Sequence, residues 1–231
     1  VRVGILPSTL IATPTKVVNT FFSMIVDYRL IDNSLVSLGR LLSGFCLGSS
    51  LGVFLGVLVG YSKNAARILE PTILTLIPVP PVAWIPLLVI IFGIGEMSKI
   101  ILVSIGSFCT LFIHAAYGIR SADKSLIEVA YVLEKDGFST LLNVLFPASL
   151  PVVLASMRVA MALSWTLLVS GEVIASSKGL GWLIWDSRNF ARPDAMIAGM
   201  VAVGLLGKAT DTLIVFLEKR LTSWRQTYRD I

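Results

Sequence analysis

The sequence has 231 residues, of which 55% are apolar and only 14% charged, with a mean hydropathy of +0.86. A water-exposed domain carries about a quarter charged residues, so a soluble globular chain is excluded and most of the surface must face lipid. The net charge of +5 does not point to nucleic acid, because the basic residues form no stripe with interleaved aromatics and sit at the ends of apolar runs.

Residues 1–37 are mixed in character. Pro7 and Pro14 are expected to break any early helix, and Lys16 to Val26 reads as an amphipathic helix lying at the interface. Leu41 to Gly60 then gives twenty residues without a charge, enough to cross about 30 Å of hydrocarbon. Gly44, Gly48, Gly52, Gly56 and Gly60 recur every four residues and line one helix face. Such a strip admits a close neighbour, from the same chain or from a second subunit. Arg40, at the outer mouth of the run, is expected to snorkel. Cys46 and Cys109 both lie inside apolar runs and read as small buried hydrophobes rather than disulfide partners or metal ligands.

A short basic loop, Tyr61 to Glu70, precedes a second run from Pro71 to Gly95. Pro78, Pro80, Pro81 and Pro86 remove backbone donors there, so the span must be kinked or interrupted. Broken backbone at membrane depth survives where protein or a wet cavity covers it, which makes Pro80, Pro81 and Trp84 candidates for the pathway wall, with a packing kink as the alternative. The third run is Ile100 to Ile119. Its His114, the only histidine, has no carboxylate or cysteine at helical spacing and reads as structural. The longest polar connection, 120–147, leads to the fourth run, Ala148 to Gly171. A polar, aromatic loop (Glu172 to Pro193) precedes the last span, Asp194 to Leu217, and a basic tail in which Trp224 and Tyr228 suit the headgroup region.

Connections 61–70, 120–147 and 218–231 carry nine Lys and Arg residues, against four in 94–99 and 172–193. The positive-inside rule therefore puts the tail in the cytoplasm. The expected fold class is an all-α integral membrane protein with five visible transmembrane helices. The expected organisation is a periplasmic or interfacial arm over 1–37, a transmembrane domain over 38–217 and a cytoplasmic tail over 218–231. Five spans leave the arm outside, which needs either a cleaved signal or one more span before Val1; a further helix, making six, is expected.

Arg158, Lys208 and Asp211 fall within spans, where bare charge is expensive, so each should face protein or water. Lys208 and Asp211 are three residues apart and can pair. Arg158 has no partner at three or four residues in its own helix, and Glu172 lies fourteen residues on, about 21 Å further along. Its partner must come from another helix or from solvent.

The connection after Arg120 has helical periodicity: Leu126, Val129, Ala130 and Leu133 share a face, while Lys124, Glu128 and Lys135 project elsewhere. Asp136-Gly137 suits a turn, and Phe138 to Phe146 a second short helix ending at Pro147. A compact helix–turn–helix with an uncovered apolar face suits docking of a soluble partner; a lid between helices is the alternative.

This connection resembles the cytoplasmic motif of binding-protein-dependent ABC importer permeases: Glu-Ala-Ala, three residues, Gly, nine residues, Ile, one residue, Leu-Pro. Glu128-Val129-Ala130 stands for the triplet, Val144 for the isoleucine and Phe146-Pro147 for Leu-Pro. The motif glycine falls on Glu134, with Gly137 three positions later, so the turn is displaced. TPTKVV near residue 13, Ser37-Leu38-Gly39-Arg40, LIPVPPVAWIPLLVIIFGIGEMSKI (76–100), SWTLLVSGEVIASSKGLGWLIWDSRNF (164–190) and LEKRLTSW are similar to the nitrate/sulfonate/taurine branch.

The resemblance implies a type I importer permease in the bacterial inner membrane. It implies a homodimer of permeases with two ATP-binding subunits, which hold ATP and Mg, and a periplasmic solute-binding protein. Coupling to the ATPase would fall on Glu128, Val129, Ala130, Leu133, Glu134, Gly137, Phe138 and Pro147. Transported solutes in this branch are mostly small anions or zwitterions such as taurine, alkanesulfonates, nitrate or bicarbonate. Arg158 is then a candidate anion contact, with a structural role as its alternative, and Ser164, Trp165 and Glu172 are candidate cavity or gate positions. No cofactor, metal or nucleic acid is expected on this chain, and no catalytic residue: no Walker motif and no nucleophile–His–acid set is present. A secondary transporter, the alternative, would show inverted repeats, and none is visible.

Overall fold

The computed structural model describes residues 12–27, 29–123, 125, 128, 130, 132 and 137–222, and these are helical or in short turns with no strand among them. Val129, Leu133 and Glu134, together with Leu126, Asp136 and the tail from Ser223, lie outside the described residues. The helices are α1 (Pro14–Val26), α2 (Arg29–Tyr61), α3 (Lys63–Leu76), α4 (Ile85–Phe92), α5 (Glu96–Arg120), α6 (Gly137–Ala175), α7 (Leu180–Asn189) and α8 (Pro193–Leu221). Four of them, α2, α5, α6 and α8, are long and apolar enough to cross a membrane. The remaining expected span is broken: α3 and the segment Pro81–Phe92 meet at 82°. The interruption is where the prolines put it, with a 3₁₀ turn over Pro81–Trp84 and the chain reversing at Gly93, whose φ of 75° favours glycine.

The close contact of α2 with α5 organises the bundle, and the glycine strip makes it possible. A Cβ added at Gly44 would lie 2.6 Å from the Ile100 carbonyl oxygen, at Gly52 2.7 Å from that of Phe108, and at Gly56 2.6 Å from that of Phe112. Backbone therefore meets backbone along the seam, and the Ser104 hydroxyl donates to the Gly44 carbonyl at 2.9 Å. Of the two readings of the strip, packing within the chain accounts for it. On the opposite side of α5, Leu167 of α6 fills the space beside Gly106. Leu42, Leu47, Leu51 and Phe54 point outward from α2, as a lipid-facing surface requires.

Several local expectations are corrected. Pro14 does not break the first helix but opens it, because the first helical position needs no N–H donor. This helix does more than lie flat: Met24 is buried, and the Thr20 hydroxyl donates to Asp194 at 2.8 Å, tying α1 to the start of α8. The loop 61–70 is mostly helix, since Ser62 caps α3 by accepting from the Ala65 N–H. The boundary at 37/38 falls inside α2, and α8 runs on to Leu221. The second short helix does not end at Pro147. A π-helical turn at Leu141–Leu145 widens the backbone just before the proline, and the helix continues to Ala175. Cys46 is exposed and Cys109 half-buried, so neither is a core residue.

Candidate coupling segment and a buried charge cluster

α2, α5 and α8 end, and α3 and α6 begin, at one pole of the bundle, called here the Arg120 end. Arg120 makes a two-pronged ion pair with Glu70 of α3, at 2.8 and 2.7 Å, and also donates to the Val59 carbonyl of α2. Three helices are thus tied together where the chain leaves α5. The Ser125 backbone N–H then donates to Asp123 at 3.0 Å, and this bond, with help from the Ser125 hydroxyl, holds the Asp123 carboxyl below its usual range.

Residues 125, 128, 130 and 132 are helical, which fits the periodicity. Ala130 is buried, Glu128 is exposed, and Val132 and Phe138 are 78% and 65% exposed. Gly137 sits against the Tyr61 hydroxyl, so a side chain there would meet the end of α2. Pro147 is half-buried within α6, just after the π turn.

The opposite pole, the Arg40 end, holds a charge cluster that sequence reasoning missed. Arg40 does not snorkel; it is 4% exposed. Its guanidinium donates to Glu172 at 2.8 Å, to Glu96 at 2.6 Å, to the Lys178 carbonyl at 2.8 Å and to the Ser176 hydroxyl at 3.1 Å. Glu172 is fully buried and also accepts from the Ser37 hydroxyl and the Gly181 N–H, both at 2.8 Å. Ser37 in turn accepts from the Leu180 N–H, and Asn33 from the Gly179 N–H. The chain between α6 and α7 therefore wraps around one carboxylate. At Gly179 a Cβ would lie 2.3 Å from that carboxylate and φ is 115°, so only glycine fits. Neighbouring Lys99 is also buried and donates to the Gly95 carbonyl. A signal was available: Ser37 and Arg40 share a helix face, and Glu172 is a lone carboxylate at the end of an apolar run.

The candidate pathway residues are dispersed. Ser164 is buried and bonds back to the Ala160 carbonyl, while the Trp165 indole donates to Thr210 of α8 at 3.1 Å. With Glu172, these residues are buried between helices of the chain. Pro80 is exposed at the broken span, with Pro81 and Trp84 half-buried beside it. Arg158 finds its partner on another helix, as required: Asp211 of α8, at 2.8 Å, which also takes Lys208 at 3.2 Å. The Arg158 and Lys208 side chains remain 45% and 76% exposed on this face. His114 bonds to the Thr110 carbonyl one turn back, a local role.

Residues 48–223 match the family described as binding-protein-dependent transport system inner membrane component. The chain belongs to this family. It is 36% identical over 225 residues to a putative aliphatic sulfonates transport permease of Bacillus subtilis, covering 97% of this chain and 82% of that one. It is 32% identical to the taurine transport permease of Escherichia coli, covering 86% of this chain and 72% of that one. The nitrate import permease of Leptolyngbya laminosa is 29% identical, with 90% and 78% covered. The fold matches inward-facing structures of the MetNI methionine ABC transporter with a TM-score of 0.75 and 16% identity, over 85% of this chain and 98% of the other. The all-α bundle is thus a type I importer permease fold, and the chain is the membrane component of an ABC import system.

Proposed function

We propose that this permease moves a small anionic or zwitterionic solute of the sulfonate, taurine or nitrate type into the cytoplasm. Relatives named for those solutes support the class. ATP with Mg is bound and hydrolysed on separate subunits, and this chain holds no cofactor and does no chemistry of its own. Two copies pair, two ATPase subunits dock on segment 120–147, and a periplasmic binding protein delivers solute at the Arg40 end. The Arg120 end and the tail face the cytoplasm of the bacterial inner membrane, in keeping with the distribution of Lys and Arg.

One observation carries the docking assignment: Val132 and Phe138 project apolar surface at the pole where Arg120 fixes the exit of α5. Glu128, Val129, Ala130, Leu133, Glu134 and Gly137 build the same segment, with Pro147 behind it. Movement of docked ATPase subunits would reach the spans through the Arg120–Glu70 tie and the continuous α6. The solute would pass along the face carrying Arg158, Asp211 and Lys208, whose exposed charges suit a wet cavity better than lipid, and past the break at Pro80, Pro81 and Trp84. Ser164, Trp165 and Glu172 hold that wall in position from within.

Co-purification with the cognate ATPase subunit tests the reading. Val132→Asp with Phe138→Asp should abolish capture while leaving the permease folded in the membrane, since both side chains are exposed. Wild-type capture equal to that of the variant would move the interface elsewhere. No capture by the wild type would remove the assigned partner.

A further inference from the structure

Two arginines within the spans are held in opposite ways. Arg40 is 4% exposed and spends its guanidinium on Glu96, Glu172, Ser176 and the Lys178 carbonyl. Arg158 is only half engaged. Its Nε donates to Asp211 Oδ1 at 2.8 Å, but its Nη2 reaches Oδ2 at a stretched 3.4 Å, and its Nη1 makes no hydrogen bond among the described residues. The same Oδ2 accepts from Lys208 Nζ at 3.2 Å. Two cations therefore share one carboxylate, and the cluster keeps a net positive charge. Glu218, two turns further along α8, acts on Arg158 through its charge but forms no ion pair with it.

The cluster lies inside the spans rather than at a helix end. Arg158 is seventeen residues, about 26 Å, from the end of α6 at Ala175, and Asp211 eighteen residues, about 27 Å, from the start of α8 at Pro193. Both helices run on past it towards the Arg120 end. Charge at such depth must face protein or water. Protein does not cover it, because the Arg158 and Lys208 side chains are 45% and 76% exposed. Ala155, Ala162 and Thr166 share the exposed face of Arg158 on α6, and Gly204 and Thr212 that of Lys208 on α8, which leaves room beside the guanidinium.

We propose that Asp211 is a displaceable counter-ion: a small oxoanion in transit takes its place on Arg158, while Lys208 keeps hold of the released carboxylate. The guanidinium offers parallel N–H donors that suit a sulfonate or nitrate as well as a carboxylate. A neutral solute brings no charge to exchange for Asp211, so the pair stays closed to it. Return of Asp211 then competes the anion off, which keeps the site from becoming a trap. The proposal rests on the reading that solute passes this face, and adds which atoms select it and what releases it.

The test uses the permease with its ATPase subunits in lipid nanodiscs and two probes, ethanesulfonate and nitrate, titrated by ligand-observed NMR. Asp211→Asn should tighten both by about tenfold, the worth of the charge-assisted bond no longer competing. Adding Arg158→Gln to it should cancel the gain. A purely structural ion pair predicts no gain, since its loss only loosens α6 against α8. Lys208→Gln leaves the carboxylate wholly on Arg158 and should weaken both probes several-fold; this highly exposed side chain keeps the test open if Asp211→Asn fails to assemble. Unchanged or weaker binding in assembled Asp211→Asn would overturn the proposal, as would a gain that survives without Arg158, or wild-type affinity in Lys208→Gln. A gain abolished by phosphatidylglycerol in the discs would assign the guanidinium to a lipid phosphate instead of a solute. A missing ATPase subunit in the wild-type sample would strike the importer reading, whereas the titrations report on the cluster alone.

Discussion

At one end of the bundle Arg40 is closed in by two carboxylates, a hydroxyl and a carbonyl, while at the other Arg120 pairs with Glu70 partly in the open. The two arginines bear the same charge and tie helices together in both places. What differs is whether water can stand in for a lost partner. Around Arg40 it cannot, so the cluster fixes one arrangement of α2, α6 and α7. Around Arg120 it can, so the tie is weak and can be broken at small cost. The Arg40 end holds one arrangement, and the Arg120 end resists change far less.

The sharpest way to break the comparison is to leave the buried carboxylate alone. Arg40→Met should destabilise the permease by about 3–5 kcal/mol, because Glu172 then stays buried and unpaired. Thermal unfolding in detergent should show a large drop, and adding Glu172→Gln to it should recover much of the loss. Equal damage in the single and double variants would mean that the pair itself matters little. The next largest effect is on the seam. Gly52→Ala puts a Cβ 2.7 Å from the Phe108 carbonyl and should cost about 1–3 kcal/mol as the helices are forced apart. Gly204→Ala, with nothing within 4 Å, is the control on α8 and should cost nothing, raising stability by up to about 1 kcal/mol in the same assay.

Periodicity and run length made the spans legible, and four prolines located the broken one. The glycine strip identified the closest helix contact without saying which helix would fill it. Legibility failed where a partner comes from far along the chain. Arg40 pairs with residues 56 and 132 positions away, and no local pattern brings them together. Arg158 shows the same limit in milder form: the need for a partner on another helix could be read, but not that it is Asp211. The helix through Pro147 is not legible in the sequence because the π turn that accommodates the proline has no signature in the residues themselves. In segment 120–147, Glu128 and Ala130 fall as the periodicity puts them, one exposed and one buried, and Pro147 lies half-buried inside α6.

The smallest structural effect is expected to have a functional consequence. Arg120→Gln removes the ion pair to Glu70 at a site where the arginine side chain is 43% exposed. Screening by water limits the loss to about 0.2–1 kcal/mol, so unfolding of the permease alone should barely change. The pair nonetheless joins α3 to α5 beside the proposed docking segment, so the variant should retain the ATPase subunit yet transport less solute per ATP hydrolysed. Reconstituted vesicles with both rates measured would show this as uncoupling. Exchanging the charges, with Arg120→Glu and Glu70→Arg together, should restore the ratio, because the tie needs opposite charges rather than a particular order. A ratio unchanged in Arg120→Gln would mean that the two ends differ in exposure alone, and that the movement enters the bundle through α6.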